Sequence, residues 1–352
     1  MINLYKIAVT IGLFASISCS DKLVSIRKDA LKPTIITQKL PHDTDDPAIW
    51  INPVDASKSL IIGTDKDTEG GLYAFDLKGT IVGKSQVLKR PNNVDVVYGL
   101  FLNGTKIDIA VTTERETNKI RIFTLPELKA IDNGGISVFE GEDLRAPMGI
   151  AIYTRKTDNA IFAIVGRKNG PSGTYLWQYQ LSDNGKGEVQ AKVVRKFGYY
   201  SGKKEIEAIA VDNDLGFVYY SDEQFGIRKY YADPALQDNT ELAIFGQGDF
   251  VSDNEGIAIY NTSKTEGYIL VSNQQANTFM VYPREGAKGN KNQHSVIAEI
   301  PTSTIECDGA DVTNLNLGGS FSQGLFVAMS NGKTFHYYSW EEIQKLIDSQ
   351  KK

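Results

Sequence analysis

Histidine and cysteine are nearly absent from this chain. Its 352 residues include three histidines, His42, His294 and His336, far apart in sequence, and two cysteines, Cys19 and Cys307. Zinc centres, thiol redox chemistry and a disulfide framework therefore lack ligands. A basic excess is also lacking, since 38 Lys and Arg face 43 Asp and Glu for a net charge of −5. That balance argues against nucleic acid as the main partner. The apolar stretch at residues 7–17 is too short to span a bilayer as a permanent helix. No linker or low-complexity segment follows after about residue 30.

The early apolar stretch reads as an export signal. Lys6 precedes it and Ser16-Ile17-Ser18-Cys19 closes it. A cysteine at that place resembles a bacterial lipoprotein signal with Cys19 as the lipidated residue, although Ser16 stands where such sites usually carry leucine. Lipid anchoring and ordinary secretion with cleavage nearby both remain open. Either puts the mature protein outside the cytoplasm, and a membrane would be met only through the N-terminal lipid. The expected division is a signal at 1–19, a short tether at 20–32, and one domain from 33 to 352.

What is abundant is an acidic loop that runs into an apolar strand. It occurs first at His42-Asp43-Thr44-Asp45-Asp46-Pro47-Ala48-Ile49-Trp50. Taking Asp46, Asp95, Met148, Glu207, Glu255 and Asp308 as equivalent points gives intervals of 49, 53, 59, 48 and 53 residues. A period near 50 residues with several short strands points to a propeller or solenoid. First strands are expected at 48–52, 94–98, 149–153, 208–211, 256–260 and 310–313. β-Branched and aromatic residues fill them, and turn residues punctuate between them. Fourth strands are expected at 81–87, 136–139, 192–197, 242–245 and 295–300. The sixth period has none, and residues 34–40 are the one donor that could complete it. The predicted fold is all-β, a six-bladed β-propeller whose last blade is closed by an N-terminal strand. After it, Ser339-Trp340-Glu341-Glu342 reads as a capping box opening a short helix.

In a propeller all first strands begin near one axial mouth, so these acids converge. Asp45, Asp253, Asp311, Glu114, Asp222 and Glu223 join them. So many carboxylates repel one another unless cations are present. Hard oxygen donors without imidazole or thiolate point to Ca²⁺, with Mg²⁺ or Mn²⁺ behind it. The bland alternative is that the acids only cap strands and solvate loops. Second strands run into Lys66, Arg115 and Arg167-Lys168 at matching places in blades 1 to 3, which suits a phosphate-rich ligand. Two further features read as ordinary loop chemistry. Asp65 to Gly70 with Asp76 only superficially fits a helix-flanked calcium loop, and Arg284 with Glu285 looks like a turn.

The stretches Asp45-Asp46-Pro47-Ala48-Ile49-Trp50, Asn92-Asn93-Val94-Asp95, Leu102-Asn103-Gly104-Thr105-Lys106-Ile107-Asp108-Ile109-Ala110, Glu207-Ala208-Ile209-Ala210 with Ser221-Asp222-Glu223, Asp253-Asn254-Glu255-Gly256, and Cys307-Asp308-Gly309-Ala310-Asp311 carry a resemblance. From about residue 33 to 342 the chain resembles the β-propeller phytases, the alkaline, calcium-dependent 3-phytase type. The resemblance implies several Ca²⁺ ions and hydrolysis of phosphomonoesters of myo-inositol hexakisphosphate (phytate), or its calcium complex, by a metal-activated water. It implies a monomer acting on a small molecule. Carried over residue by residue, Asp45, Asp46, Asn93, Asp95, Glu207, Glu223, Asp253, Glu255 and Asp308 resemble the metal ligands, with Glu207 and Glu223 also in the catalytic set. Lys66 and Arg115 resemble catalytic, phosphate-contacting cations, and either Lys168 or Arg167 joins them in binding substrate. Two departures stand out. Met148 occupies a position where other members have a tyrosine, with Arg145 and Arg167 the nearest substitutes. Residues 301–307 are poor in acids, which argues against a peripheral calcium site. Two rivals use similar architecture, a metal-dependent lactonase and a non-catalytic surface-binding propeller.

Overall fold

The computed structural model describes residues 25–351; the export segment and Cys19 lie outside the described residues. Six four-stranded antiparallel sheets form the ring. Blade 1 is Thr44–Trp50, Leu60–Asp65, Gly71–Phe75 and Ile81–Lys84. Blade 2 is Pro91–Leu102, Thr105–Glu114, Lys119–Thr124 and Ile136–Ser137. Blade 3 is Pro147–Thr154, Ile161–Arg167, Leu176–Asp183 and Val189–Phe197. Blade 4 is Ile209–Asp212, Phe217–Asp222, Gly226–Tyr231 and Ala243–Phe245. Blade 5 is Asn254–Asn261, Gly267–Asn273, Thr278–Pro283 and Ala298–Pro301. Blade 6 takes Ala310–Thr313, Leu325–Ser330 and Thr334–Ser339 from the C-terminal end, and Ile35–Ile36 as its outer strand.

The closing strand is short but well tied. Ile35 and Ile36 pair with Tyr337 and His336. Thr34 and Thr37 donate their backbone N–H groups to Tyr337 and Phe335, at 2.8 and 3.0 Å. The edge of blade 6 is thereby covered.

Local sequence explains the hairpins. Asn103-Gly104 forms the two-residue connection between Leu102 and Thr105, and both residues have positive φ, 49° and 79°. That is the requirement of a type I′ turn, which Asn-Gly meets. The core lies between blades, where second strands are buried on both faces, as in Ile161–Arg167 and Gly267–Asn273. Blades approach closely: a Cβ on Gly63 would lie 2.3 Å from the Phe335 ring of blade 6.

The helix Trp340–Gln350 is held by packing. Trp340 stacks on Tyr260 with centroids 3.5 Å apart, and Ile343 and Ile347 are buried. Ser339 does stand at the N-cap, but its side chain makes no capping hydrogen bond, so the expected capping box does not form.

One irregularity shapes the mouth. In blades 1, 2, 3 and 5 the inner strand carries one extra residue just after its start. In blade 1, Thr44 pairs with Asp65 and Pro47 with Gly63, so Asp45 and Asp46 together oppose Thr64. The matching pairs are Asn92-Asn93, Met148-Gly149 and Glu255-Gly256. A bulge re-aims side chains that a regular strand would alternate between faces.

Candidate active site

Register gives the true equivalences. The inner strands pair onward from Pro47, Val94, Ile150, Ile209, Ile257 and Ala310. Counting back two residues gives Asp45, Asn92, Met148, Glu207, Glu255 and Asp308. Asp46 and Asp95, the expected equivalents in the first two blades, lie one and three residues further along than this register allows. One residue further along stand Asp46, Asn93, Gly149, Ala208, Gly256 and Gly309. Blades 1 and 2 carry side chains there, but blade 3 cannot, because a Cβ on Gly149 would lie 1.8 Å from the Glu207 carbonyl of the next blade.

A second set follows from the hairpins. Lys66, Arg115, Lys168, Glu223, Gln274 and Asn331 each donate a backbone N–H to the loop before the inner strand of their own blade, at Asp43, Arg90, Ala146, Glu205, Asp253 and Ile305. Lys66, Arg115 and Lys168 are thus equivalent, as the sequence suggested. Arg167 is not part of this set. Its guanidinium is fully buried, donates to Glu142 Oε2 at 3.1 Å and to the carbonyls of Leu144 and Thr174, and sits over the Phe139 ring.

The mouth is tightly wired. Lys66 Nζ contacts Asp45 Oδ1 and lies 3.1 Å from Asp308 Oδ2. Asn92 Nδ2 donates to Asp45 Oδ2 at 2.8 Å and also to Glu207. Arg115 Nη1 donates to Asn92 Oδ1 at 3.1 Å, which sets its guanidinium beside the Asp45–Glu207 pair. Across the mouth, Lys204 Nζ lies 2.8 Å from Glu223 Oε2 and 2.8 Å from Asp253 Oδ2. Gln274 donates to both Glu255 and Asp308, at 3.1 and 2.6 Å. Lys168 is more open and pairs with Glu205 at 2.9 Å.

Electrostatics follow from burial. Desolvation, reinforced by neighbouring acids, pushes the Asp45 carboxyl up to about 6 despite Lys66. It pushes Glu207 up to about 7 and Glu223 up to about 9. Glu255 and Asp308 are raised for the same reason. Asp253 goes the other way: burial opposes it, but Lys204, Gln224 and Gln275 hold its carboxyl below the usual range. Lys66 and Lys204 are held charged, the surrounding carboxylates outweighing their own desolvation.

These residues fit a hard divalent cation. Two groups of three acids, Glu205-Glu207-Glu223 and Glu223-Asp253-Glu255, can each bring ligand oxygens within 4.8 Å of one another. Glu223 Oε1 is buried without a hydrogen-bond donor. Unpaired buried carboxylate oxygens are costly, and a metal removes that cost.

Asp46 and Asp95, with Asp311, sit one layer deeper and line the central channel. Asp46 accepts the Val94 N–H at 3.0 Å, Asp95 the Ile152 N–H at 2.6 Å, and Asp311 the Ile49 N–H at 2.7 Å. Each carboxylate ties its blade to the next. Asn93 also faces the channel, and its carbonyl accepts from Thr112.

Other expectations resolve simply. Met148 is buried, 1% exposed, at the start of its strand. Arg145, one proposed substitute there, is occupied by Val138 and Ser137. The carboxylates of the calcium-loop look-alike serve separate purposes, Asp65 tying down the loop before the inner strand and Asp76 a local turn. Asp65 accepts from the His42 and Asp43 N–H groups, and Asp76 from those of Lys78 and Thr80. Arg284 is no ordinary turn residue. It is fully buried and gripped by both oxygens of Asp212 at 2.6 Å, on the face away from the mouth.

Sequence reasoning missed Asn92 as a hub, and it missed Lys204, Glu205 and Gln274. Lys204 and Glu205 directly precede Ile206-Glu207, so a search for cations as well as acids at that strand start would have found them.

A six-bladed ring whose one open end gathers hard oxygen donors and fixed cations defines a propeller suited to phosphate esters. The comparisons agree: residues 8–351 match the family described as Phytase. The chain is 32% identical over 320 residues to the 3-phytase of Bacillus subtilis (strain 168), covering 85% of this chain and 80% of that protein. The chain belongs to the phytase family and is a phosphomonoester hydrolase. A solved luciferin-regenerating enzyme superposes with a TM-score of 0.52 at 11% identity, covering 87% of this chain and 95% of that one; this likeness shows the fold alone.

Proposed function

We propose that this chain is a calcium-dependent 3-phytase that hydrolyses phosphomonoesters of myo-inositol hexakisphosphate. The observation that carries the reading is the pairing of two sets at one mouth, the acids Asp45, Glu207, Glu255 and Asp308 beside Lys66, Arg115 and Lys168. Asp45, Glu207 and Asp308, with Glu205 and Glu223, would hold Ca²⁺, and Asp253 and Glu255 line the same mouth beside them; Asp46, Asn93 and Asp95 would act from the channel layer below. Bound Ca²⁺ would neutralise phosphate charge and lower the pKa of a coordinated water, supplying the nucleophile near neutral pH.

The chain's own residues do the rest. Lys66 and Arg115 bind the phosphoryl group that is cleaved and stabilise charge on its equatorial oxygens. Asn92 orients Arg115 while bridging Asp45 and Glu207. Lys168, exposed at the rim, takes a second phosphate of the same substrate, which favours substrates with adjacent phosphates. No side chain becomes phosphorylated. Lactonase and non-catalytic binding readings leave the three matched cations without work. The leader composition supports an extracytoplasmic protein, anchored through Cys19 or secreted, and we take it to act as a monomer.

Phosphate release from inositol hexakisphosphate, measured with and without Ca²⁺, tests the reading. Calcium-dependent release is expected. Equal release in excess chelator would sink the calcium assignment, and no release under any condition would sink the substrate.

A further inference from the structure

We propose that Lys204 is a built-in cation, its ammonium holding the Glu223–Asp253–Glu255 group in place of a metal ion. The inference rests on the calcium reading above and assigns a role within it to a residue outside the predicted set.

The geometry is specific. Lys204 Nζ reaches all three acids, at 2.8 Å from Glu223, 2.8 Å from Asp253 and 3.4 Å from Glu255. An ammonium carries three N–H donors and no acceptor, so three carboxylates saturate it. The acids are buried, and the lysine stem enters from the rim, where Tyr200 donates to the Lys204 carbonyl and fixes the backbone. Amides engage the same acids: Gln224 donates to Asp253 Oδ1 and Gln275 to Asp253 Oδ2, each at 2.9 Å, and Gln274 to Glu255 Oε2 at 3.1 Å. Those donors compete with a metal for the same lone pairs. The neighbouring group differs. Of Glu205, Glu207 and Glu223, Lys168 touches only Glu205, and its side chain is 47% exposed. One acid group therefore has a cation of the chain at its centre, while the other meets that ammonium only through the shared Glu223 and leaves most of its charge for an ion.

Calcium stoichiometry decides the matter. Chelator-stripped protein is titrated with Ca²⁺ by calorimetry and equilibrium dialysis. Lys204→Met keeps the stem and loses the charge, and it should bind one more Ca²⁺ per chain than the wild type. Lys204→Arg should keep the wild-type number. Equal stoichiometry in the wild type and Lys204→Met overturns the proposal. A wild type that binds no Ca²⁺ beside a Met variant that binds one would overturn the calcium reading and leave this one standing. A wild-type measurement guards against a misfolded variant. Reductive methylation of Lys204, read by mass spectrometry, should be equally slow with and without Ca²⁺. A several-fold rise in labelling on adding Ca²⁺ would mean that the ion displaces the ammonium, and the proposal would fall.

Discussion

The two halves of the mouth share a backbone and differ in charge. At the same hairpin position, blades 1 to 3 present Lys66, Arg115 and Lys168, whereas blades 4 to 6 present Glu223, Gln274 and Asn331. The inner positions run the same way. Asn92 and Met148 fall on the cationic side, while Glu207, Glu255 and Asp308 fall on the other; Asp45 of blade 1 is the exception, an acid on the cationic side paired with Lys66. The repeat therefore builds an identical frame six times and leaves the rim residue free to vary. The result is a polarised opening, with one side suited to phosphate and the other to metal. Lys66 and Lys204 cross this division, each placing an ammonium among acids.

The comparison can be broken from either side, and chelation should break it hardest. Excess chelator should abolish phosphate release and lower the melting temperature, because a ligand bound only to the folded state stabilises it by linkage. An unchanged melting curve with full activity would remove the metal half of the contrast. On the cationic side, Arg115→Ala should cut turnover about 10²-fold or more, the usual scale for one preorganised electrostatic contact, while Ca²⁺ binding stays intact. Glu207→Ala should weaken both. Kinetics and calcium titrations on the two variants separate the halves; equal loss of Ca²⁺ affinity would merge them.

Stability variants sharpen the contrast between the mouth and the frame. Arg284→Ala leaves Asp212 buried without its partner and should cost about 3–5 kcal/mol by denaturant melts, with turnover of the folded fraction unchanged. Met148→Ala should cost about 2 kcal/mol or more through lost packing and should shift the Michaelis constant little. A Met148→Ala protein that melts normally but no longer turns over would give Met148 a direct role.

The mildest effect concerns pH. Burial holds His336 down to about 4, and burial with the adjacent Lys229 ammonium does the same to His294. Both are neutral in the fold and charge more readily when unfolded. Their contribution to stability is therefore complete above the unfolded value near 6.5 and lost as pH falls from there towards 4. The raised carboxyls of the mouth act with the opposite sign in chelator-treated protein, so the share of His336 is read as a difference: from pH 6.5 to 4 the wild type should lose stability, read as melting temperature, relative to His336→Phe. An identical slope in that variant would clear His336 of a part in it.

Much of this was legible in the sequence, and the exceptions share a cause. The period near 50 residues, the hairpin punctuation and the missing sixth outer strand are properties of the local chain, and each reappears in the ring. What the chain hides is anything that depends on counting across a hydrogen-bonded pair. The pairing register puts Asp45 rather than Asp46, and Asn92 rather than Asp95, at the positions that match Met148, Glu207, Glu255 and Asp308. Long-range partners were hidden too. Nothing near Arg284 announces Asp212, which lies in the preceding blade. Lys204 reads as one more surface lysine until blade 5 brings Asp253 and Glu255 beside it.

The closing strand has a consequence for how the chain is made. Ile36 pairs with His336, so the ring shuts through residues 300 positions apart. During synthesis the five complete blades can form in turn, each from contiguous sequence, while residues 35–36 wait for the last hairpin to emerge. Contacts of such separation form late, after the entropy of a long loop has been met. Until then the chain carries an unpaired strand at one end and an open edge at the other, the pairing most exposed to capture by a second copy. The two-residue length of that strand shortens the interval's hazard, because so little of it is available to mispair.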